Sequence, residues 1–263
     1  MGLLAIKLLL APSFVVGASL AARRYGARIG GLIAGLPVVA GPILLVYALA
    51  HGHAFAAGAA AGTLLGLVSL IAFVVVYARL ATSVFWGASM LAGWLVFALA
   101  TAAFSALTVS AGLALAIAAV GLALGLAALP RPGPELRLHP SPPRWDLPVR
   151  AACALVLVLS LTAVAGWLGP QLSGLLAPFP IIATVLATFT HAQRGTDELL
   201  RLLRGLISGF GAFALSCFTL AVSLNPLGTA AAFALATGVA LLTQAATFVL
   251  VRGGPTSAAV PEI

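Results

Sequence analysis

"GLIAGLPVVAGP" occupies residues 31–42 and "GLLAPFPIIATV" occupies residues 174–185. Both stretches are apolar enough for the interior of a membrane, and both carry proline inside the run. Proline removes a backbone donor and clashes with the preceding turn of a helix. A plain membrane anchor has no use for it. Pro37 pairs with Pro180, an offset of 143 (180 − 37). The same offset pairs Gly31 with Gly174, Ala34 with Ala177, Gly52 with Gly195, Gly62 with Gly205 and Gly66 with Gly209. It also pairs Thr82 with Asn225, each placed to cap the next helix. Pro226 then falls at a first helical position, where its missing donor costs nothing. Chance similarity between Ala/Gly/Leu-rich helices is the competing explanation, but the offset holds without gaps across loops.

The rest of the composition sets the class. The chain has 263 residues, 62% hydrophobic and only 7% charged, with a mean hydropathy of +1.19. Soluble domains carry about 25% charged residues, so this chain cannot solvate a water-facing surface. The apolar runs are long and do not alternate, which points to helices and not barrel strands. The expected fold is an all-α polytopic membrane protein. The formal charge of +8 does not imply nucleic-acid binding, which needs a solvated basic face; here the arginines sit in short gaps between apolar runs. Cys153 and Cys217 both lie within apolar runs and read as packing residues.

About nine spans of roughly 20 residues fit: 3–22, 29–50, 54–77, 84–105, 110–129, 149–168, 172–190, 202–224 and 227–251. The first could be mistaken for a signal peptide, but Arg23 and Arg24 follow it at once, and charge there opposes export of the next segment. Residues 1–129 form a first repeat of five helices, and 130–148 a Pro/Arg-rich linker. A second repeat of four helices covers 149–252, and 253–263 is a loose tail. Alternating the gaps puts twelve arginines on one side, from Arg23 to Arg252, and only Lys7 on the other. The positive-inside rule makes the arginine side cytoplasmic. A bacterial inner-membrane protein with its N-terminus outside and its C-terminus cytoplasmic follows. Equivalent helices are then five spans apart, an odd number, so the two copies cross in opposite directions. Inverted repeats of this kind recur in secondary transporters, with the site near the midplane between interrupted helices.

Candidate substrate-binding residues cluster in spans two and seven: Pro37, Pro42, Pro178 and Pro180, with Thr184 and Thr188 four apart on one helix face. The prolines either break the helices at a central site or merely kink them, with the glycines allowing close packing. Gly31, Gly35 and Gly174 would let spans two and seven cross closely, so that both breaks, Thr184 and Thr188 face one shared cavity. Gln244, in span nine, either lines that cavity or ties two helices together. Candidate coupling residues are His191, able to shuttle a proton near neutral pH or simply hydrogen-bonded in a loop, and Asp197, which first reads as a helix-start carboxylate. His51 and His53 lack companion ligands, so no metal is expected, nor any cofactor. All five acids fall outside the spans, which argues against a proton-driven cation exporter. No catalytic motif is present, so the protein does not read as an enzyme.

The stretches "YGARIGGLIAGLPVVAGPILLVYALAHG" and "GPQLSGLLAPFPIIATVLATFTHAQRG" resemble the core of the GlpM-like family of small bacterial inner-membrane proteins, over one helix and its flanks in each half. That resemblance implies a duplicated, fused version of a small four- or five-helix unit. The expected function is a secondary transporter, permease or flippase. It would move a small neutral, anionic or amphipathic solute, or a lipid headgroup, by alternating access, with membrane lipid as its surroundings. The competing expectation is a non-transporting structural or accessory subunit of an envelope-assembly complex.

Overall fold

The computed structural model describes residues 2–107, 109–134, 143–175 and 178–252, with side chains described outside 2–10, 161–175 and 252. The described residues are helical, without strands. The helices are α1 (Gly2–Tyr25), α2 (Ala27–Ala34), α3 (Ala40–His51), α4 (His53–Leu80), α5 (Trp86–Ser105), α6 (Ala111–Ala128), α7 (Asp146–Leu175), α8 (Ile181–Arg194) and α9 (Thr196–Arg252). Among the described residues four helices are long and apolar enough to cross a membrane: α4, α5, α6 and α9. An all-helical chain with such elements is a membrane protein, because a helix satisfies its own backbone groups where no water is available. The linker residues 135–142 and the tail 253–263 lie outside the described residues.

Several boundaries differ from those read in the sequence. The run 29–50 is two short helices, α2 and α3, separated at residues 35–39. The gap expected at 169–171 is helix, since α7 continues to Leu175. The run 172–190 is therefore the end of α7, a proline break and then α8. Residues 202–251 lie in one element, α9, interrupted only by non-helical Gly228 (φ 74°, ψ 174°). Thr82 does not open a helix: its hydroxyl donates to the Arg79 carbonyl (2.7 Å) at the end of α4, while α5 starts after Phe85. A threonine hydroxyl is as able to close one helix as to open the next, and here the nearer free carbonyl wins.

The core lies between α4 and the first half of α9. Leu64, Leu67, Phe73 and Tyr77 of α4, and Leu199, Leu202, Leu203 and Ile207 of α9, are among the largest fully buried side chains. Gly52 (φ 87°) leads into α4 and Gly195 (φ 82°) leads into α9. Only glycine enters that backbone region without strain, so α3 turns into α4, and α8 into α9, at matching residues. The two turns also share a hydrogen bond at the same offset: Ala56 N to Gly52 O and Leu199 N to Gly195 O, both 3.2 Å.

Helix α2 is wedged by glycine on two sides. A Cβ on Gly31 would fall on the Leu202 carbonyl oxygen of α9, and one on Gly35 would lie 2.7 Å from the Gly209 Cα. A Cβ on Gly205 of α9 would fall on the Arg28 carbonyl oxygen. On the other side, a Cβ on Gly30 would lie 2.9 Å from the Ala18 carbonyl of α1. Gly31 and Gly35 thus serve a crossing with α9, not the crossing with the second break expected from the sequence. Gly205 and Gly209, which face α2 and its C-terminal Gly35 from α9, repeat the small-xxx-small spacing that lets backbones approach in membranes.

Hydrogen bonds sort the two ends of the molecule. At one end Arg79 donates to Ala128 O, Arg204 to Leu129 O and Arg201 to Gly133 O. Arg23, Arg150 and Gln193 converge there on Asp146. At the other end His53 Nε2 lies 3.0 Å from the Thr229 hydroxyl, joining the Gly52 turn to the Gly228 break.

Candidate functional site

The two proline breaks are built alike. Pro37 has no N–H for Ile33 O, which accepts instead from Leu36 N (3.1 Å). Val38 N, which in a continuous helix would reach Ala34 O, bonds Leu36 O (2.9 Å), and Gly41 N bonds Pro37 O (2.9 Å) to restart the helix as α3. In the second break Ile181 N bonds Phe179 O and Thr184 N bonds Pro180 O, both 2.7 Å. Each of these partners stands 143 residues after its counterpart (181 − 38, 184 − 41).

Residues of both breaks meet across a small apolar cavity of about 40 Å³, with Leu36 and Val39 on one side and Pro178, Phe179 and Pro180 on the other. Phe210 and Phe213 of α9 also line it. A far larger cavity, about 720 Å³, opens beside the first break alone. Pro37 and Pro42 line it from α3 and the break; Ser216, Cys217, Leu220, Phe233 and Ala236 line it from both halves of α9. Its rim carries the exposed side chains of Leu49 and Leu241. Its polar groups are few: the Ser216 hydroxyl, which donates to Phe213 O (2.9 Å), and Thr237. Such a chamber suits an apolar body with one small polar group.

The other sequence candidates lie elsewhere. Thr184 is buried and accepts from Trp94 Nε1 of α5 (3.0 Å). Thr188 is half-buried, and its buried hydroxyl faces Tyr77 of α4. Neither lines the two cavities just described. Gln244 donates through Nε2 to Leu32 O of α2. Leu36 N, the helical donor that Leu32 O would have had, is drawn to Ile33 O by the break, so Gln244 and Gly35 N take its place. Gln244 is thus a tie across helices at the end of α2. His191 packs its ring against Tyr77 (centroids 6.0 Å apart), and its Nδ1 is buried without a partner. Asp197 accepts from Gly133 N (2.8 Å), pinning the segment after α6 to the start of α9.

Sequence reasoning missed Trp94, which holds Thr184 and packs its ring, tilted by 49°, against Phe179 of the second break (centroids 5.9 Å apart). Nothing in the pattern of α5 distinguishes it from an interfacial aromatic. Replacing it tests the packing of the break: Trp94→Phe should leave Thr184 buried without its donor and lower stability by about 1–3 kcal/mol, read as a lower Tm in detergent.

Asp146 was also missed as a structural centre. Its buried carboxylate accepts from Arg23 Nη2 (2.6 Å), Arg150 Nε (2.9 Å) and Gln193 Nε2 (2.7 Å), tying α1, α7 and α8 together. Burial pushes its pKa up, but the hydrogen bonds from Arg150, Gln193 and Arg23 outweigh it and hold the carboxyl below its usual range. The i,i+4 spacing of Asp146 and Arg150 was the readable signal. Among the described residues no group of three metal-ligating side chains converges.

No protein-family model matches the chain, and no curated protein or solved structure matches it either.

Proposed function

We propose that the protein is a transporter or flippase of the inner membrane, moving an amphipathic solute or lipid through the chamber beside the Pro37 break. The observation that carries this reading is the 720 Å³ cavity whose wall is an interrupted helix. Irregular backbone at membrane depth is tolerated where it lines a cavity or is packed in protein. The rim is apolar and exposed at Leu49 and Leu241, so a molecule could enter sideways from the lipid. The few hydroxyls at Ser216 and Thr237 suit a neutral or weakly polar group.

The architecture proposed with it is nine spans in two inverted repeats, a duplicated GlpM-like unit. The common offset of the breaks' hydrogen bonds and of the Gly52 and Gly195 turns supports it. In this architecture the arginine-bearing end faces the cytoplasm. Alternating access then means that the cavity beside the first break closes as an equivalent one opens beside the second. The second reading, a non-transporting subunit of an envelope assembly, is favoured by how small and apolar the meeting point of the two breaks is.

Vesicles containing the purified protein and a phospholipid with a reducible fluorescent headgroup separate the two. Transport predicts bleaching of label from both leaflets when a membrane-impermeant reductant is added, against the outer leaflet alone in protein-free vesicles. Gly41→Leu should slow it: Gly41 lines the cavity and a Cβ there meets nothing within 4 Å, so the larger side chain narrows the chamber from its wall. Bleaching confined to the outer leaflet with the wild-type protein would favour the subunit reading.

A further inference from the structure

We infer that Arg28 of α2, Arg131 after α6 and Arg204 of α9 form a headgroup site for an anionic phospholipid. The backbone brings the three together. A Cβ on Gly205 would fall on the Arg28 carbonyl oxygen, so Arg28 and Arg204 stand beside the same crossing of α2 and α9. Arg204 donates through Nε to Pro130 O (3.3 Å) and through Nη2 to Leu129 O (2.9 Å), which draws it to the residue next to Arg131. The charges that act on its guanidinium are those of Arg131 and Arg28, with no carboxylate among them.

The acids at the start of α9 are engaged. Glu198 is bound by Arg201 (2.9 Å), one turn before Arg204, and Asp197 accepts from Gly133 N (2.8 Å). Among the described residues Arg28 and Arg131 make no side-chain hydrogen bond or ion pair, and both are exposed. Nη1 of Arg204 likewise keeps its donors free there. Free guanidinium donors on adjoining segments suit one phosphodiester, whose oxygens accept from such forks and whose single negative charge they offset. The surroundings favour a lipid over a dissolved anion. Arg131 follows the end of α6, and Val120 and Leu124, four apart on one face of that helix, are 58% and 65% exposed. An acyl chain lying along that face places its phosphate at the arginines. Tyr25, exposed in the turn before α2, is the kind of aromatic that sits at headgroup level. Basic groups between helices at one face of a membrane protein bind anionic headgroups in this way. The inference is independent of whether the protein transports anything.

The test titrates the detergent-purified full chain with dioleoyl phosphatidylglycerol or dioleoyl phosphatidylcholine, which share their chains and differ in headgroup charge. Native mass spectrometry reads the lipid-bound fraction. The first phosphatidylglycerol should bind tighter than the first phosphatidylcholine, and the difference should shrink as salt rises. Arg28→Gln and Arg131→Gln should each weaken phosphatidylglycerol by about fivefold, the worth of one arginine near an anionic headgroup, and leave phosphatidylcholine unchanged. Neither side chain has a partner to lose, so neither variant should lower Tm without lipid. Arg144→Gln is the control: Arg144 is exposed but is not among the charges that act on Arg204, and its loss should leave phosphatidylglycerol binding as it was. Three results would overturn the site: equal binding of the two lipids; a loss with Arg144→Gln as large as with the other two, which would mean diffuse charge and no site; or displacement of phosphatidylglycerol by inorganic phosphate, which would mean a site for a dissolved anion.

Discussion

Gly205→Ala, like Gly31→Ala, is expected to be among the most costly single-methyl additions at the described glycines of this protein. At Gly205 the added Cβ falls on the Arg28 carbonyl oxygen and lies 2.8 Å from its carbon and 3.0 Å from Leu32 N. All three are backbone atoms, so no side chain can swing aside. Helix α2 cannot retreat either, because Gly30 already brings it against Ala18 and Ala22 of α1. An ordinary overpacked core loses about 1–3 kcal/mol; with both faces blocked the loss should reach the top of that range or exceed it. That corresponds to a Tm lower by at least about 6–12 °C, or to protein that no longer elutes as a single species. Gly62→Ala is the matched control, at the equivalent offset (205 − 62). A Cβ there meets nothing within 4 Å among the described residues, and alanine is the better helix former by about 1 kcal/mol. Equal tolerance of both substitutions would mean that α2 and α9 do not cross at these glycines.

This contrast also marks what a sequence can and cannot disclose. The positions of the breaks were legible, because proline acts locally: Pro37 and Pro180 remove donors from their own helices whatever surrounds them. Gly52 and Gly195 were legible only as paired residues in the gaps between apolar runs, and the left-handed turns they make were not. The all-helical membrane class followed from hydropathy alone. The partners were not legible. Gly31 and Gly35 announce a close approach, but nothing local says whether the approaching backbone is that of α7, α8 or α9. Thr184 and Gln244 announce buried polar groups, but Trp94 and Leu32 O are 90 and 212 residues away in the chain. The site followed the same rule. Pro37 and Pro42 border the large chamber, while the threonines that share their sequence neighbourhood with the second break turn toward α5 or α4. Helix α7 ran on to Leu175 because the Gly–Pro pair at 169–170, read as a loop, did not stop it.

Asp146→Asn should be the most damaging change at the arginine-rich end. The wild-type carboxylate receives Arg23, Arg150 and Gln193 at 2.6–2.9 Å, and it is fully buried. Asparagine keeps the shape, loses the charge, and turns an amide donor toward guanidinium donors. Arg150, 5% exposed, is then left as a buried cation with no counter-charge from its own helix, and Phe189, whose ring lies 4.9 Å from its guanidinium carbon, offers only a weak substitute. Breaking one partner of a buried pair costs about 3–5 kcal/mol. The pH dependence carries the sign. The folded carboxyl sits below its usual range, while in the unfolded chain it titrates near 3.9. The stabilisation is therefore complete above about pH 5, begins to fade near the unfolded value, and is lost as pH falls through the folded one. Tm of the wild type measured against pH should show this acid limb, and the gap to Asp146→Asn should stay constant from neutral pH to about 5 and shrink below it. A gap that persists unchanged to pH 3, or none at neutral pH, would mean that Asp146 does not hold α1, α7 and α8 together.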